Sequence, residues 1–159
     1  MDLGGRIVDV IPTPGHHSTH VAFYDNRTGI LFSGDFLLPG RLLISDAAAY
    51  HESALRVVEF LKTRSLTYIL GGHIELNTAG QPYQSGSHYH PDEHRLELTT
   101  EDLAALPAAF ETFNRFYSRH PNYILSNPIR NLVAQAIIAL AVFIFIVWGV
   151  RRLLRRRRQ

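Results

Sequence analysis

Short runs of apolar residues, each ended by a turn signal, dominate the N-terminal part of the chain. Residues 6–11 (RIVDVI) are rich in β-branched side chains, and the runs 20–24 and 30–33 flank the turn-forming segment 26–29. Runs of this length predict β-strands, and the intervening turn predicts a hairpin. A fourth run, 67–70, ends on two glycines and also predicts a strand.

Longer segments follow with apolar residues at helical spacing. Residues 47–64 place Leu55, Val58 and Leu61 roughly on one side of a predicted helix. Residues 77–89, rich in Gly, Ser, Gln and Pro, predict a loop. Strands and helices that are interspersed in this way predict a mixed fold of the α/β or α+β class.

A second helix is predicted over residues 100–117. Thr100 is the expected N-cap, followed by two acidic residues that favour the first turn of a helix. Pro107 lacks the backbone donor of a helix interior, which predicts a kink or a restart near Leu106.

Residues 132–150 (LVAQAIIALAVFIFIVWGV) contain one polar residue, Gln135, and no charge. At about 1.5 Å per residue such a helix spans roughly 28 Å, close to the hydrocarbon thickness of a bilayer. The alternatives are a buried core helix or a helix between subunits. Because the segment is apolar on all sides and ends in an arginine cluster, it predicts a single transmembrane helix that contacts membrane lipid.

The charge of the chain is unevenly distributed. All 14 acidic residues and 10 of the 16 Lys and Arg precede Asn131, whereas residues 151–159 carry six arginines. Arginine clusters stay on the cytoplasmic side of membrane spans, so we expect an extracytoplasmic body and a cytoplasmic tail. Next to a membrane span, lipid headgroups are a simpler partner for this tail than nucleic acid, and no nucleic acid is expected.

Three polar signals follow predicted strands: His16 in the segment Thr-Pro-Gly-His, Asp35 after Gly34, and His73 after two glycines. The 159-residue chain has no cysteine, so thiolate ligands and cysteine nucleophiles are excluded. Imidazole nitrogen and carboxylate oxygen are ligands that zinc accepts, and a carboxylate can touch two ions at once. A His, an Asp and a second His are therefore a sketch of half a two-metal hydrolytic site.

The order TPGH, GD and GGH, with strands and a helix between them, resembles the metallo-β-lactamase fold superfamily over roughly residues 6–77. The resemblance implies that His16 binds a first zinc ion, that Asp35 bridges, and that His73 binds a second. An aspartate in the bridging place, in a chain without cysteine, favours the glyoxalase II-like branch. His17 and His20 are expected to be structural or to support the ligands, and Glu75 to be a surface or salt-bridging group.

The family's first metal motif, His-x-His-x-Asp-His, has no counterpart before Arg6. We therefore expect residues 1–125 to form the C-terminal half of an αββα metallo-β-lactamase sandwich, followed by a linker and transmembrane helix (126–150) and a basic tail (151–159). A longer gene product or a late start codon would explain this. The zinc site would be incomplete, and the half-fold would expose apolar surface.

One stretch imitates the missing motif. Residues 87–94 (SHYHPDEH) contain His88, His90 and His94 at a spacing one residue longer than the family pattern. The family motif follows an apolar strand, whereas residues 80–87 are polar. This segment is therefore expected to be a solvated loop or the rim of a substrate site, with a metal site in a permuted domain as the alternative.

Two function classes remain open. The first is a membrane-anchored metal-dependent hydrolase, inactive as this chain and acting on an unidentified small molecule once a partner chain or upstream sequence supplies the other half. The second is a catalytically inactive, membrane-attached interaction module of the same fold. Loops set specificity in such folds, so ester, thioester, lactone, phosphodiester and β-lactam substrates all remain possible.

Overall fold

The computed structural model describes residues 1–156, which include two compact units: residues 1–127 and a unit that begins at Pro128. The last three residues of the predicted tail, 157–159, lie outside the described residues. The elements run in chain order as follows: β1 (Val8–Pro12), β2 (Val21–Asp25), β3 (Ile30–Gly34), β4 (Arg41–Leu43), α1 (Ala47–Leu61), β5 (Tyr68–Gly71), β6 (Glu97–Leu98), α2 (Thr100–Glu111), β7 (Tyr117–Arg119), β8 (Ile124–Ser126) and α3 (Pro128–Arg156). This confirms the mixed α/β class.

The larger sheet has five strands in the order β1-β2-β3-β5-β6. The predicted hairpin is present, since β2 pairs antiparallel with β3. Strand β1 is antiparallel to β2, and β5 is parallel to β3 after the crossover through α1. Strands β1, β3 and β5 therefore run in the same direction, and the segments that follow them leave from the same edge of the sheet.

A second sheet of three short strands has the order β4-β8-β7. None of these strands was predicted. Strand β4 has three residues and lies in what we expected to be an apolar connection, 36–45. Three residues are too few to show alternation, so only pairing with β8 identifies the strand.

The two helices of the first unit differ in how well the sequence predicts their ends. Helix α1 is capped by Asp46, whose side chain accepts from the backbone N–H groups of Ala48 and Ala49. The N-cap of α2 is Thr99 and not Thr100, because the hydroxyl of Thr99 and the carboxylate of Asp102 form a reciprocal capping box. Helix α2 also continues past its internal proline and ends at residue 111, not 117.

One face of the larger sheet is covered and the other is open. Leu31 and Ile69 pair across β3 and β5 and are fully buried. On the opposite face Val10 pairs with Phe23, and Phe23 pairs with Phe32, giving a row that crosses three strands. These three side chains are 47%, 37% and 42% exposed. Exposed apolar rows of this kind are typical of a sheet face that packs against another layer, and the half-fold itself stays a prediction.

The second unit contains α3. Its segment Pro128–Arg152 has 25 residues, a mean hydropathy of 2.6 over its most apolar stretch, and none of that stretch buried. By length and composition alone, this helix is long and apolar enough to cross a membrane. It includes the whole of the predicted segment 132–150.

Candidate metal centre

The three predicted ligands come together at one edge of the larger sheet. His16 follows β1, Asp35 follows β3 directly, and His73 follows β5, and these strands share one direction. The Nε2 atom of His16 lies 3.6 Å from Oδ2 of Asp35. The Nδ1 atom of His73 lies 3.5 Å from Oδ1 of the same carboxylate. One imidazole therefore faces each oxygen of Asp35.

The ring of His16 is oriented by a backbone carbonyl. Its Nδ1 atom lies 3.0 Å from the carbonyl oxygen of Leu43, which can only accept a hydrogen bond. Nδ1 must therefore carry the proton, and in the neutral ring Nε2 presents a lone pair toward Asp35. Fixing a ligating histidine through its second nitrogen is the usual arrangement around protein metal sites.

The ring of His73 is oriented in the same manner by a side chain. Its Nε2 atom lies 3.3 Å from Oε1 of Glu75. The other oxygen of Glu75 accepts from the backbone N–H of Arg41 at 2.8 Å and from its guanidinium at 3.0 Å. A carboxylate held in this way favours the proton on Nε2, so that Nδ1 of His73 presents a lone pair toward Asp35. The expected salt-bridging role of Glu75 is thus present, together with an orienting contact that the sequence did not indicate.

The geometry of this donor set fits a zinc ion on each side of the carboxylate. Separations of 3.5 and 3.6 Å exceed those of an ordinary nitrogen–oxygen hydrogen bond. Two ligand atoms at about 2.0–2.2 Å from a tetrahedral zinc ion lie roughly 3.3–3.6 Å apart, which is close to these values. A lone pair aimed at a carboxylate oxygen is unfavourable unless a cation or a proton lies between them.

The donor set is also incomplete. Each side of Asp35 offers one nitrogen and one oxygen, whereas zinc takes four ligands. Consistently, no group of three or more His, Cys, Asp or Glu side chains in the described part of the chain is arranged to hold one ion. Each side of Asp35 thus offers two of the four ligands that a zinc ion takes, and the role of these residues as ligands stays a prediction.

Small residues give the carboxylate its space. A Cβ atom on Gly72 would lie 3.1 Å from Oδ1 of Asp35, so a side chain there would crowd the carboxylate. The carboxylate is 40% exposed. It is therefore open to solvent and to a substrate.

The other histidines of the first motif do not join the three. His17 lies in an exposed turn, where its Nδ1 atom contacts the hydroxyl of Thr19 at 2.9 Å. His20 contacts the backbone of Asp35, because its Nε2 atom accepts from the Asp35 N–H at 3.2 Å. Burial lowers the pKa of His20, and the charge of Asp35 opposes this shift. A structural or supporting role was expected for both residues.

The imitation motif does not assemble a metal site. The Nδ1 atom of His90 contacts Oε1 of Glu93 at 3.0 Å, and its ring stacks on Tyr83 with the centroids 4.3 Å apart. His94 contacts the carbonyl oxygen of Arg95 at 2.6 Å and the side chain of Asn122 at 3.2 Å. His88 is exposed. His90 and His94 thus have different partners, which favours the loop interpretation.

A pocket opens beside His73. It has a volume of about 210 Å³ and its walls include Arg41, His73, Glu75, Tyr83, Ser87 and His90. Most of its outer wall comes from the predicted loop 77–89 and the residues that follow. Ser87 and His90, from the segment 87–94 that was expected to be a solvated loop or the rim of a substrate site, therefore lie in the wall of a pocket beside the candidate metal centre.

Comparison with known proteins finds matches for the part of the chain that carries these residues. Residues 1–73 match the family model described as the metallo-beta-lactamase superfamily. This match ends on His73 and includes all three candidate ligands. Together with the relatives described next, it supports assignment to that superfamily, a class in which zinc is the usual metal.

The curated relatives include the acyl-coenzyme A thioesterase MBLAC2 of Gallus gallus, with 29% identity over 93 residues. The protein of that name from Homo sapiens is 28% identical over 93 residues. Each alignment covers 56% of this chain, and the chain spans only 34% and 33% of the two relatives' lengths. A solved structure of an archaeal superfamily member from Sulfolobus tokodaii aligns with a TM-score of 0.46 and 18% identity, covering 76% of this chain and 40% of that one.

Proposed function

We propose that this chain supplies the Asp-bridged half of the metal centre of a membrane-anchored, zinc-dependent hydrolase. The observation that carries the proposal is that His16 faces one carboxylate oxygen of Asp35 and His73 faces the other. In each ring the second nitrogen is held by a contact with another oxygen, from Leu43 or Glu75. When bound, zinc supplies Lewis-acid polarisation of a substrate carbonyl. The chain's own residues orient the two imidazoles, keep the carboxylate exposed and border the substrate pocket.

The substrate class that we propose is an acyl thioester. The basis is the similarity to relatives named acyl-coenzyme A thioesterase, which is a likeness over about a third of those proteins. The pocket beside His73 offers hydroxyl, imidazole and guanidinium groups to the polar part of such a substrate.

The missing ligands are proposed to come from protein that carries a His-x-His-x-Asp-His motif, in the same polypeptide or in a partner. The exposed row formed by Val10, Phe23 and Phe32 supports this, because it is an apolar sheet face of the kind that packs against another sheet. The same row also favours the second function, a membrane-attached interaction module without catalysis. The two functions differ in whether zinc binds.

The test uses the full chain, extracted from membranes in detergent, with and without a co-expressed protein that bears His-x-His-x-Asp-His. Zinc is measured by elemental analysis and hydrolysis by release of free thiol from an acyl-coenzyme A. We expect weak zinc binding and no hydrolysis from the chain alone, and zinc-dependent hydrolysis that Asp35→Asn abolishes in the complex. Tight binding of two zinc ions by the chain alone would contradict the half-site. If zinc binds in neither preparation, the interaction module is the function that remains.

A further inference from the structure

The backbone of Asp35 is bonded on both sides by side chains that belong to other elements. Its N–H donates to Nε2 of His20 at 3.2 Å. Its carbonyl oxygen accepts from the hydroxyl of Tyr50 at 3.0 Å, and the same hydroxyl lies 2.7 Å from the carbonyl oxygen of Phe36. The peptide groups on either side of the candidate bridging residue are therefore fixed by a histidine and a tyrosine.

Only one tautomer of His20 can accept the hydrogen bond from the Asp35 N–H. The Nδ1 atom of His20 lies 2.7 Å from the hydroxyl of Thr13. Because Nε2 must accept from the N–H of Asp35, Nδ1 carries the proton and donates to Thr13. Gly34 allows this approach: it has a φ of +54°, and a Cβ there would lie 3.0 Å from Nε2 of His20.

The tyrosine links the backbone of Asp35 to the turn that carries His16. Tyr50 is fully buried on α1. A Cβ atom on Gly15 would lie 2.4 Å from Cβ of Tyr50, so the backbone next to His16 rests directly against this residue. The carbonyl oxygen of Gly15 also accepts from the N–H groups of Ser45 and Asp46 at the start of α1, at 2.9 and 3.0 Å. One helix end thus positions both His16 and Asp35.

We propose that His20 and Tyr50 are positioning residues that hold Asp35 at the angle at which its two oxygens face His16 and His73. The inference rests on the proposed function, because it assigns these residues to the metal centre. Neither side chain is proposed to touch the metal or the substrate. Their role is to restrict the rotation of the peptide groups on both sides of Asp35, and so to reduce the freedom of its carboxylate.

The chain offers a matched control for the tyrosine. Tyr24 is also buried, and its hydroxyl donates to the carbonyl oxygen of Ser65 at 2.7 Å, away from the candidate metal centre. Tyr50→Phe and Tyr24→Phe each delete one buried hydroxyl and keep the ring. A purely structural role predicts similar effects of the two substitutions, whereas a positioning role predicts a difference in zinc affinity.

The first measurement is a zinc titration of the full chain in detergent micelles, followed through the ring signals of its histidines by NMR. We expect Tyr50→Phe and His20→Leu to weaken zinc binding about tenfold or more, as loss of residues that orient ligands does elsewhere. Tyr24→Phe is expected to leave the zinc affinity unchanged. Equal zinc affinity in the Tyr50→Phe and Tyr24→Phe chains would overturn the proposal.

The second measurement needs no metal. Amide hydrogen exchange at Asp35 is expected to be about fivefold faster in His20→Leu than in the unsubstituted chain, because the N–H loses its acceptor. In His20→Gln, which keeps an acceptor, exchange should return toward the original rate. An unchanged Asp35 rate in His20→Leu would also overturn the proposal. If zinc moves no histidine signal in the unsubstituted chain, either alone or with the co-expressed protein that bears His-x-His-x-Asp-His, the proposed function is contradicted and the exchange rates alone decide the positioning role.

Discussion

The Nδ1 atom of His16 is hydrogen-bonded to the carbonyl oxygen of Leu43 at 3.0 Å, although the two residues are 27 positions apart in sequence. Leu43 belongs to a strand of the smaller sheet, so the second sheet orients a side chain at the edge of the first. The consequence is that the fold itself sets which nitrogen of His16 faces Asp35. Preorganisation of this kind lowers the cost of binding, and it makes the candidate centre directly testable.

The first prediction concerns the three candidate ligands. His16→Ala, Asp35→Asn and His73→Ala should each reduce zinc binding by the chain, with the largest loss for Asp35 because its carboxylate faces both imidazoles. Isothermal titration with zinc measures this effect. Circular dichroism should show an unchanged fold, since all three side chains are partly exposed. Zinc binding that survives in Asp35→Asn would remove the basis for a bridging carboxylate.

The second prediction concerns the imitation motif. A chain in which His88, His90 and His94 are all replaced by Asn should bind zinc as the unsubstituted chain does, because His90 and His94 have separate, non-metal partners. The same titration provides the comparison. A fall in zinc affinity as large as that of His16→Ala would instead place a metal at this loop.

The third prediction concerns the exposed apolar row. Residues 1–127 produced without α3 should self-associate, and Phe23→Ser with Phe32→Ser should shift them toward a monomer in sedimentation experiments. Each of these substitutions should cost about 1 kcal/mol or less in unfolding free energy, because the side chains are already partly in water. The control is Leu31→Ser, next in sequence but on the buried face, which should cost about 2–5 kcal/mol. A monomeric, sharply melting unsubstituted fragment would contradict the prediction.

The fourth prediction is a pH dependence of stability. The ring of His120 stacks on Tyr123, and its Nε2 atom contacts the hydroxyl of Ser118. Burial at this position lowers the pKa of His120 below its ordinary value of 6.5. A histidine whose pKa is lower in the folded state stabilises the fold above pH 6.5, and this contribution is lost as the pH falls below 6.5 and through the lowered pKa of the folded state.

Chemical denaturation between pH 7.5 and 5, a range chosen to span the ordinary histidine pKa of about 6.5, measures this loss. The unfolding free energy should decrease toward acid, and less steeply in His120→Gln. Burial also lowers the pKa of His20, so part of the slope should remain in that variant. An identical slope in both chains would exclude a contribution from His120.

The fifth prediction concerns membrane attachment. Reporter fusions should place the Met1 end outside the cytoplasm and the arginine-rich end inside, because arginine clusters stay on the cytoplasmic side. Replacing two central residues of the apolar segment, Ile138 and Leu140, with Asp should release the chain from membranes. If alkaline extraction removes the chain from membranes, or if the chain can be purified without detergent, the prediction of a membrane span is contradicted. A cytoplasmic Met1 end would contradict the orientation.

The three candidate ligands could be predicted from the sequence because each one follows an apolar run that predicts a strand. Asp35 and His73 come after runs that are buried on one face, and His16 comes after a Pro-Gly turn. Strands that run in the same direction deliver such residues to one edge. The groups that orient the two imidazoles could not be predicted in this way. Glu75 is an ordinary surface residue in the sequence, and Leu43 contributes only its backbone carbonyl.

The sequence by itself determined the mixed fold class, the hairpin, the long apolar segment and the three side chains able to ligate a metal, because strand periodicity and residue chemistry are local properties. Only the tertiary structure decided which nitrogen of each imidazole faces Asp35, and that Tyr50 and His20 hold the backbone of Asp35. These features depend on contacts between residues that are distant in sequence or on the fit of one side chain to another. Such contacts leave no period or motif in the chain.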